Sequence, residues 1–244
     1  GCLELAKYCL DTVGLLEDCT FRFSQWDPNN QQKYIGTPEQ WEEAQGIMGK
    51  ILDDLGVVYS IGIDEAAFYG PKLDIQYKNV HGKEDTLVTI QVDLLLAEQF
   101  DMEYVDQEGR KVRPYIIHRT SLGCYERTLA YLIEKYAGAL PVWMAPEQVR
   151  VMPMTDRNAG YAYEIKAELE ANGFRVEIDP SNEKIGKKIR EAQLEKVPYM
   201  LVLGDKEQEA GQVAVRNRKD GKTTVMPLPE FIEKLRYEVD KKLR

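Results

Sequence analysis

Of the two histidines in the chain, His118 follows the apolar run PYII and precedes Arg119, so it is expected to end a strand beside a helix N-terminus. Imidazole chemistry gives two roles, a hydrogen-bonded and partly buried ring or a metal ligand, and an isolated histidine favours the first. His81 lies in the polar turn HGKED, where a solvent-exposed role is expected. Downstream, Gly123 lets the backbone approach a ligand with no side chain in the way. Arg127 then falls one turn into a helix, where a planar cation can stack on a base and reach phosphate oxygens. Helix N-termini attract anions as well. A lone GxxxR also describes a solvated helix arginine, so spacing by itself leaves both readings open.

The elements around these residues follow from pattern. CLELAKYCLDTVGLL has apolar residues at helical spacing, and TFRFSQW alternates as a short strand. TPEQWEEAQGIMGKILDDLG carries Thr37 as a cap, Pro38 at the first helical position and Gly56 at the end, which predicts a helix. KLDIQYKNV and DTLVTIQVDLLL alternate around HGKED, predicting an antiparallel hairpin. Apolar positions 122, 125, 129, 132, 133 and 136 predict a helix packed on that sheet. A boundary is expected at PVWMAPEQ, giving domains 1–142 and 143–244. After it VRVMPM, FRVEID and PYMLVLGD read as strands, alternating with helices in YAYEIKAELEANG and EKIGKKIREAQLEK. QVAVRNR and KTTVMP form a hairpin, and LPEFIEKLRYEVDKKLR closes as a helix. This alternation predicts an α/β layer with partly parallel strands.

Composition narrows the class. The chain is 244 residues long, 43% hydrophobic and 30% charged, enough to bury a core. No apolar run approaches the roughly 20 residues of a membrane span, and no basic-then-apolar leader opens the chain, so a membrane partner is not expected. No N-cap precedes Cys2, and the start reads as a cut through a larger domain. Cys2, Cys9, Cys19 and Cys124 make no CxxC pair, which argues against a zinc ribbon or disulfide framework and for a reducing cytoplasm. Net charge is -9, yet residues 143–244 carry 19 Lys and Arg against 18 Asp and Glu, leaving 13 against 23 in the first part. A locally basic patch in the second part can still grip a phosphate backbone.

PYIIHRTSLGCYERTLAYLIEKYAGALPVWMAPEQV is similar, nearly position for position, to the third signature motif and domain junction of threonyl-tRNA synthetases, a class II aminoacyl-tRNA synthetase family. DEAAFYGPKLDIQ resembles their AFYGPK segment, and NEKIGKKIREAQLEKVPYMLVLGDKE the core of their anticodon-binding domain. FSQWDPNNQQKYIGTPEQWEEAQ resembles the linker after their second motif. The resemblance implies an α/β chain: a truncated antiparallel-sheet class II catalytic domain followed by a mixed-sheet anticodon-binding domain. It implies ATP with magnesium, threonine and threonine tRNA as partners, a homodimer in the complete enzyme, and no DNA.

Residue by residue, the resemblance makes His118 one of three zinc ligands and Arg127 an ATP clamp. Tyr69 and Gln91 would line the threonine site, Lys72 would face ATP or the tRNA end, and Thr89, Gly123 and Cys124 would contact nucleotide or substrate. Asn182, Lys184, Arg190, Lys196, Glu207 and Arg216 would lie at or near the anticodon, where loop bases are read by stacking and by their edges. Thr86, Leu87 and Val88 depart from the family's usual QCGT, and Cys124 stands where serine is usual, which implies an altered adenosine pocket. The family's other zinc ligands, first motif and second-motif arginine are expected upstream, so zinc and ligation are expected of the complete enzyme and not of this chain. Two other readings remain: a stand-alone anticodon-binding module or non-ligating paralogue, and an amino-acid or nucleotide sensor.

Overall fold

A computed structural model describes all residues 1–244, as two compact units, Gly1–Glu134 and Lys135–Arg244. In the first unit the elements run α1 (Cys2–Val13), β1 (Cys19–Gln25), α2 (Pro38–Asp54), β2 (Ser60–Ile63), β3 (Lys72–Lys78) and β4 (Glu84–Asp93). They continue with a short α3 (Leu96–Gln99), β5 (Tyr104–Val105), β6 (Lys111–Val112), β7 (Ile116–Arg119) and α4 (Tyr125–Lys135). Five strands form one sheet in the order β2-β1-β3-β4-β7, antiparallel except for the β1–β2 pair.

Alternation divides this sheet into two chemical faces. Phe23, Leu73, Ile75 and Ile90 are buried. Leu73 and Ile90 share one apolar groove with Leu3 of α1 and Ala44, Met48 and Leu52 of α2. The 3-4-4 spacing of the buried positions Trp41, Ala44, Met48 and Leu52 turns one stripe of α2 inward. Its start is fixed by a capping box: Thr37 Oγ1 accepts from Gln40 N, and the Gln40 side chain accepts from Thr37 N. Trp41 stacks on Trp26 at 5.6 Å between centroids and donates its indole N–H to Ile35 O, which seals the base of the helix.

The predicted second arm of the hairpin was expected to run on to Leu96, but β4 stops at Asp93. The Asp93 carboxylate accepts from the amides of Leu95 and Leu96 and turns the chain into α3. Likewise α4 begins at Tyr125 instead of Leu122, because Gly123 sits at φ +76°, outside helical space. The register between β3 and β4 shifts after Ile75: Ile75 faces Val88, and Gln76 faces Thr86, so Leu87 is an extra residue, a β-bulge. Neither β2 nor the β5–β6 pair was anticipated.

The second unit contains β8 (Val149–Pro153), α5 (Ala159–Ala171), β9 (Val176–Ile178), α6 (Ile185–Leu194) and β10 (Tyr199–Leu203). After them come α7 (Asp205–Ala210), β11 (Gln212–Asn217), β12 (Thr223–Pro227) and α8 (Leu228–Asp240). The sheet order is β12-β11-β10-β8-β9, with β9, β8 and β10 parallel and β10, β11 and β12 antiparallel. Val149, Val151, Leu201 and Val213 meet Ile165 and Leu169 of α5 and Phe231 and Leu235 of α8 on one face. Met152 and Met200 meet Ala192 of α6 on the other. Helix α7 is an addition to the sequence expectation. No helix is long and apolar enough to cross a membrane.

Candidate functional site

The polar face of the first sheet is built by register. Ser24 stands opposite Lys72, Lys72 opposite Gln91, and Gln91 opposite His118, a row across four strands. One pleat along, Asp74 stands opposite Thr89. Lys72, Thr89, Gln91, His118, Gly123, Cys124 and Arg127 line one cleft of about 830 Å³, so seven predicted residues share a wall. Tyr69 joins them by donating its hydroxyl to Gln91 Oε1 at 2.6 Å, with its ring edge-on to His118 at 6.0 Å.

Two carboxylates that sequence reasoning missed hold this wall in place. Asp74 is 2% exposed and accepts from Ser24 Oγ at 2.7 Å and Thr89 Oγ1 at 2.9 Å, while Lys72 Nζ lies 2.8 Å away. A buried carboxylate is tolerated when it is paired and hydrogen-bonded, as this one is. Asp93, 3% exposed, lies 2.7 Å from His118 Nε2. Burial by itself would raise the Asp93 pKa, but His118 and the amides of Leu96 and Leu95 outweigh it and hold the carboxyl below its ordinary value. Asp74 and Asp93 stand two residues from Lys72 and Gln91 on the same strand faces, the one signal that could have found them.

At the other end of the cleft the bulge is decisive. With Leu87 as the extra residue, Thr86 and Thr89 both reach the polar side, although three positions apart on a regular strand they would face opposite ways. Arg127 Nη1 donates to Thr86 O at 2.7 Å, and Gln76 Nε2 donates to Thr86 Oγ1 at 2.9 Å. A Cβ on Gly123 would stand 1.9 Å from Leu87 O, so glycine is required by close approach as well as by its positive φ. The Cys124 thiol donates to Glu126 at 3.0 Å, which holds the Glu126 carboxyl below its ordinary range. Arg127, Arg119 and Lys72 supply three cations to the cleft, chemistry suited to a polyphosphate.

For zinc the donor set falls short. With Nε2 engaged by Asp93, His118 retains one ring nitrogen for a metal, and no group of three or more His, Cys, Asp or Glu side chains is arranged to hold an ion. These residues alone do not fit a four-coordinate site.

In the second unit the predicted residues are spread along α6 and the sheet beneath it. Asn182 and Lys184 are exposed in the loop leading into α6, and Arg190 is exposed on the helix. Lys196 follows its far end, about 15 Å along for a ten-residue helix. Glu207 caps the start of α7 by accepting from Gly204 N at 2.9 Å. Arg216 stands opposite Met200, on the sheet face that α6 covers, and its Nε is buried without a hydrogen-bond partner. Asn182, Lys184, Arg190, Lys196 and Arg216 therefore lie on or beside α6 and the sheet face it covers, Glu207 lies apart on α7, and the six form no single cluster.

Comparison with known proteins places both units. Residues 7–136, more than half of the chain, match the tRNA synthetase class II core domain (G, H, P, S and T), and residues 148–238 match an anticodon binding domain. Threonine--tRNA ligase of Clostridium perfringens is 58% identical over 237 residues, 97% of this chain and 37% of that protein. The Clostridium botulinum ligase is 54% identical over all 244 residues, 38% of its length. The RNA binding domain of threonyl-tRNA synthetase from Cryptosporidium parvum superposes with a TM-score of 0.88 at 32% identity, covering 97% of this chain and 58% of that one. The chain thus spans well under half the length of the curated relatives it matches. Its antiparallel sheet, with a polar row on one face and a motif helix behind the cleft, and this match over residues 7–136 show that the chain belongs to the class II tRNA synthetase core family.

Proposed function

We propose that the chain forms the substrate-binding wall and the anticodon-reading domain of a threonine-tRNA ligase. The observation that carries this reading is the convergence of Lys72, Thr89, Gln91, His118, Gly123, Cys124 and Arg127 on one cleft. In the full-length protein the threonine carboxylate attacks the α-phosphate of ATP, and the resulting adenylate passes the amino acid to the tRNA. Arg127 and Lys72 offset phosphate charge, and magnesium bound with ATP supplies further neutralisation. Tyr69 and Gln91 orient the amino acid by hydrogen bonds that a bare hydrophobic pocket could not offer, the kind of contact that rejects an analogue lacking the matching group. Catalysis rests on positioning and fixed charge, with no covalent enzyme intermediate. A cytoplasmic location and a homodimeric complete enzyme belong to the same reading.

These 244 residues alone are proposed not to ligate, because His118 brings one zinc donor and Arg127 one clamp arginine. Threonine-dependent ATP–pyrophosphate exchange tests this, and any such exchange by the chain overturns it.

The second unit supports a narrower reading. Its sheet is covered by its own helices on both faces, so a tRNA-binding module can act without the cleft. Filter binding of threonine tRNA, with Arg216→Ala beside the unchanged chain, tests it. The expected loss is about tenfold, the worth of one edge or stacking contact, and equal affinity removes Arg216 from the interface.

A further inference from the structure

Lys188 is the most buried lysine of the chain, 2% exposed, on a helix whose other lysine, Lys187, faces solvent. A buried ammonium is costly unless its donors are used. Its Nζ donates to Pro153 O at 3.2 Å and to Asp179 O at 3.0 Å, and it lies 3.9 Å from the Asp179 carboxylate. Pro153 is the last residue of β8, and Asp179 directly follows β9. Both carbonyls therefore sit where two adjacent parallel strands end and their loops begin.

One of those loops carries candidate base-reading groups, and the other is tied to a short helix that carries one. After Asp179, whose Oδ1 accepts from Ser181 N at 2.9 Å, the chain passes through Asn182 and Lys184 into α6. After Pro153, Met154 N donates to Leu203 O, and buried Asn158 donates to Asp205 and Gln208 of α7, the short helix that holds Glu207. One ammonium thus joins the roots of both loops from below. Parallel α/β sheets bind ligands outside the carboxyl ends of their strands, and these are those ends.

We propose that Lys188 is a positioning residue for tRNA recognition, presetting the 179–184 loop and, through Pro153, the approach to α7 before any RNA arrives. The inference rests on the anticodon reading given above. Lys188 touches no RNA in this account. Its effect is on which bases are accepted, not on the number of phosphates contacted.

The test uses the 244-residue chain and two RNA stem-loops, one with the threonine anticodon and one with a single anticodon base changed, read by fluorescence anisotropy over a salt series. Lys188→Met is expected to lower affinity for the first about tenfold while the second changes by less than about twofold, as loss of base readout without loss of phosphate contacts requires. The slope of log affinity against log salt should stay unchanged. An equal fall for both stem-loops, a shallower salt slope, or no change at all would overturn the proposal. If the unchanged chain fails to distinguish the two stem-loops, the anticodon reading itself falls and the lysine is not to blame. Should Lys188→Met fail to fold, hydrogen exchange on the unchanged chain decides. Protection of the Ser181 amide, which the Asp179 carboxylate holds, before RNA is added supports a preset loop, and unprotected exchange there overturns it.

Discussion

Asp93 Oδ2 and His118 Nε2 stand 2.7 Å apart across the β4–β7 ladder, two residues off the direct Gln91–His118 pairing. The carboxylate thereby fixes which ring nitrogen faces away from it, and it anchors the turn into α3 through two backbone amides. Because the Asp93 carboxyl is held below its ordinary pKa in the folded state, its contribution is present above the unfolded value of about 3.9. That contribution is lost as pH falls through the folded value. Asp93→Asn is expected to flatten the acid limb of stability measured by urea unfolding between about pH 5 and pH 2, and an unchanged limb contradicts the pairing.

Removal of Asp74 should be felt throughout the cleft wall. Asp74→Ala leaves the Ser24 and Thr89 hydroxyls and the Lys72 ammonium without their common acceptor. A loss of about 3 kcal/mol in unfolding free energy is expected, the scale of breaking a buried ion pair by deleting one partner. A loss below about 1 kcal/mol would show that water takes over the site.

Gly123 offers a sharper steric prediction. An added Cβ meets Leu87 O at 1.9 Å with φ at +76°, so Gly123→Ala must move the backbone of either the loop or the bulge. The expected cost is about 2 kcal/mol or more, the range of a strained backbone position, measured by thermal or urea unfolding. Loss of ATP binding should accompany it.

Arg127 behaves oppositely. It is exposed and holds only a backbone carbonyl, so Arg127→Ala should change stability by less than about 0.5 kcal/mol. Calorimetric titration with ATP should show affinity falling about tenfold or more, the worth of one charge-assisted contact. Equal ATP affinity would remove the arginine from the nucleotide site.

Much of this arrangement was legible in sequence because local signals carried it. The Thr37 cap and Pro38 fixed α2, alternation marked β3 and β4, and the apolar run before His118 marked β7. What could not be read was register. Ser24 and Asp74 are 50 positions apart, and nothing local says that β1 lies beside β3. The short β2 pairs in parallel with β1 across a helix, a contact with no hairpin signal. Asp93 was absorbed into an apolar strand because its capping role depends on the turn it creates. In the second unit α7 was missed because six residues between two strands leave no helical period to detect.

The extra residue at Leu87 has a consequence for how such a cleft can change over generations. Beyond it, the Glu84–Thr86 end of β4 obeys one parity, and the Thr89–Gln91 end obeys the other. A single insertion or deletion at this position would re-face the stretch beside Arg127 while leaving the Lys72–Gln91–His118 row untouched. The two ends of the groove are separately adjustable parts, joined at one peptide, and the Thr86–Val88 stretch lies on that joint.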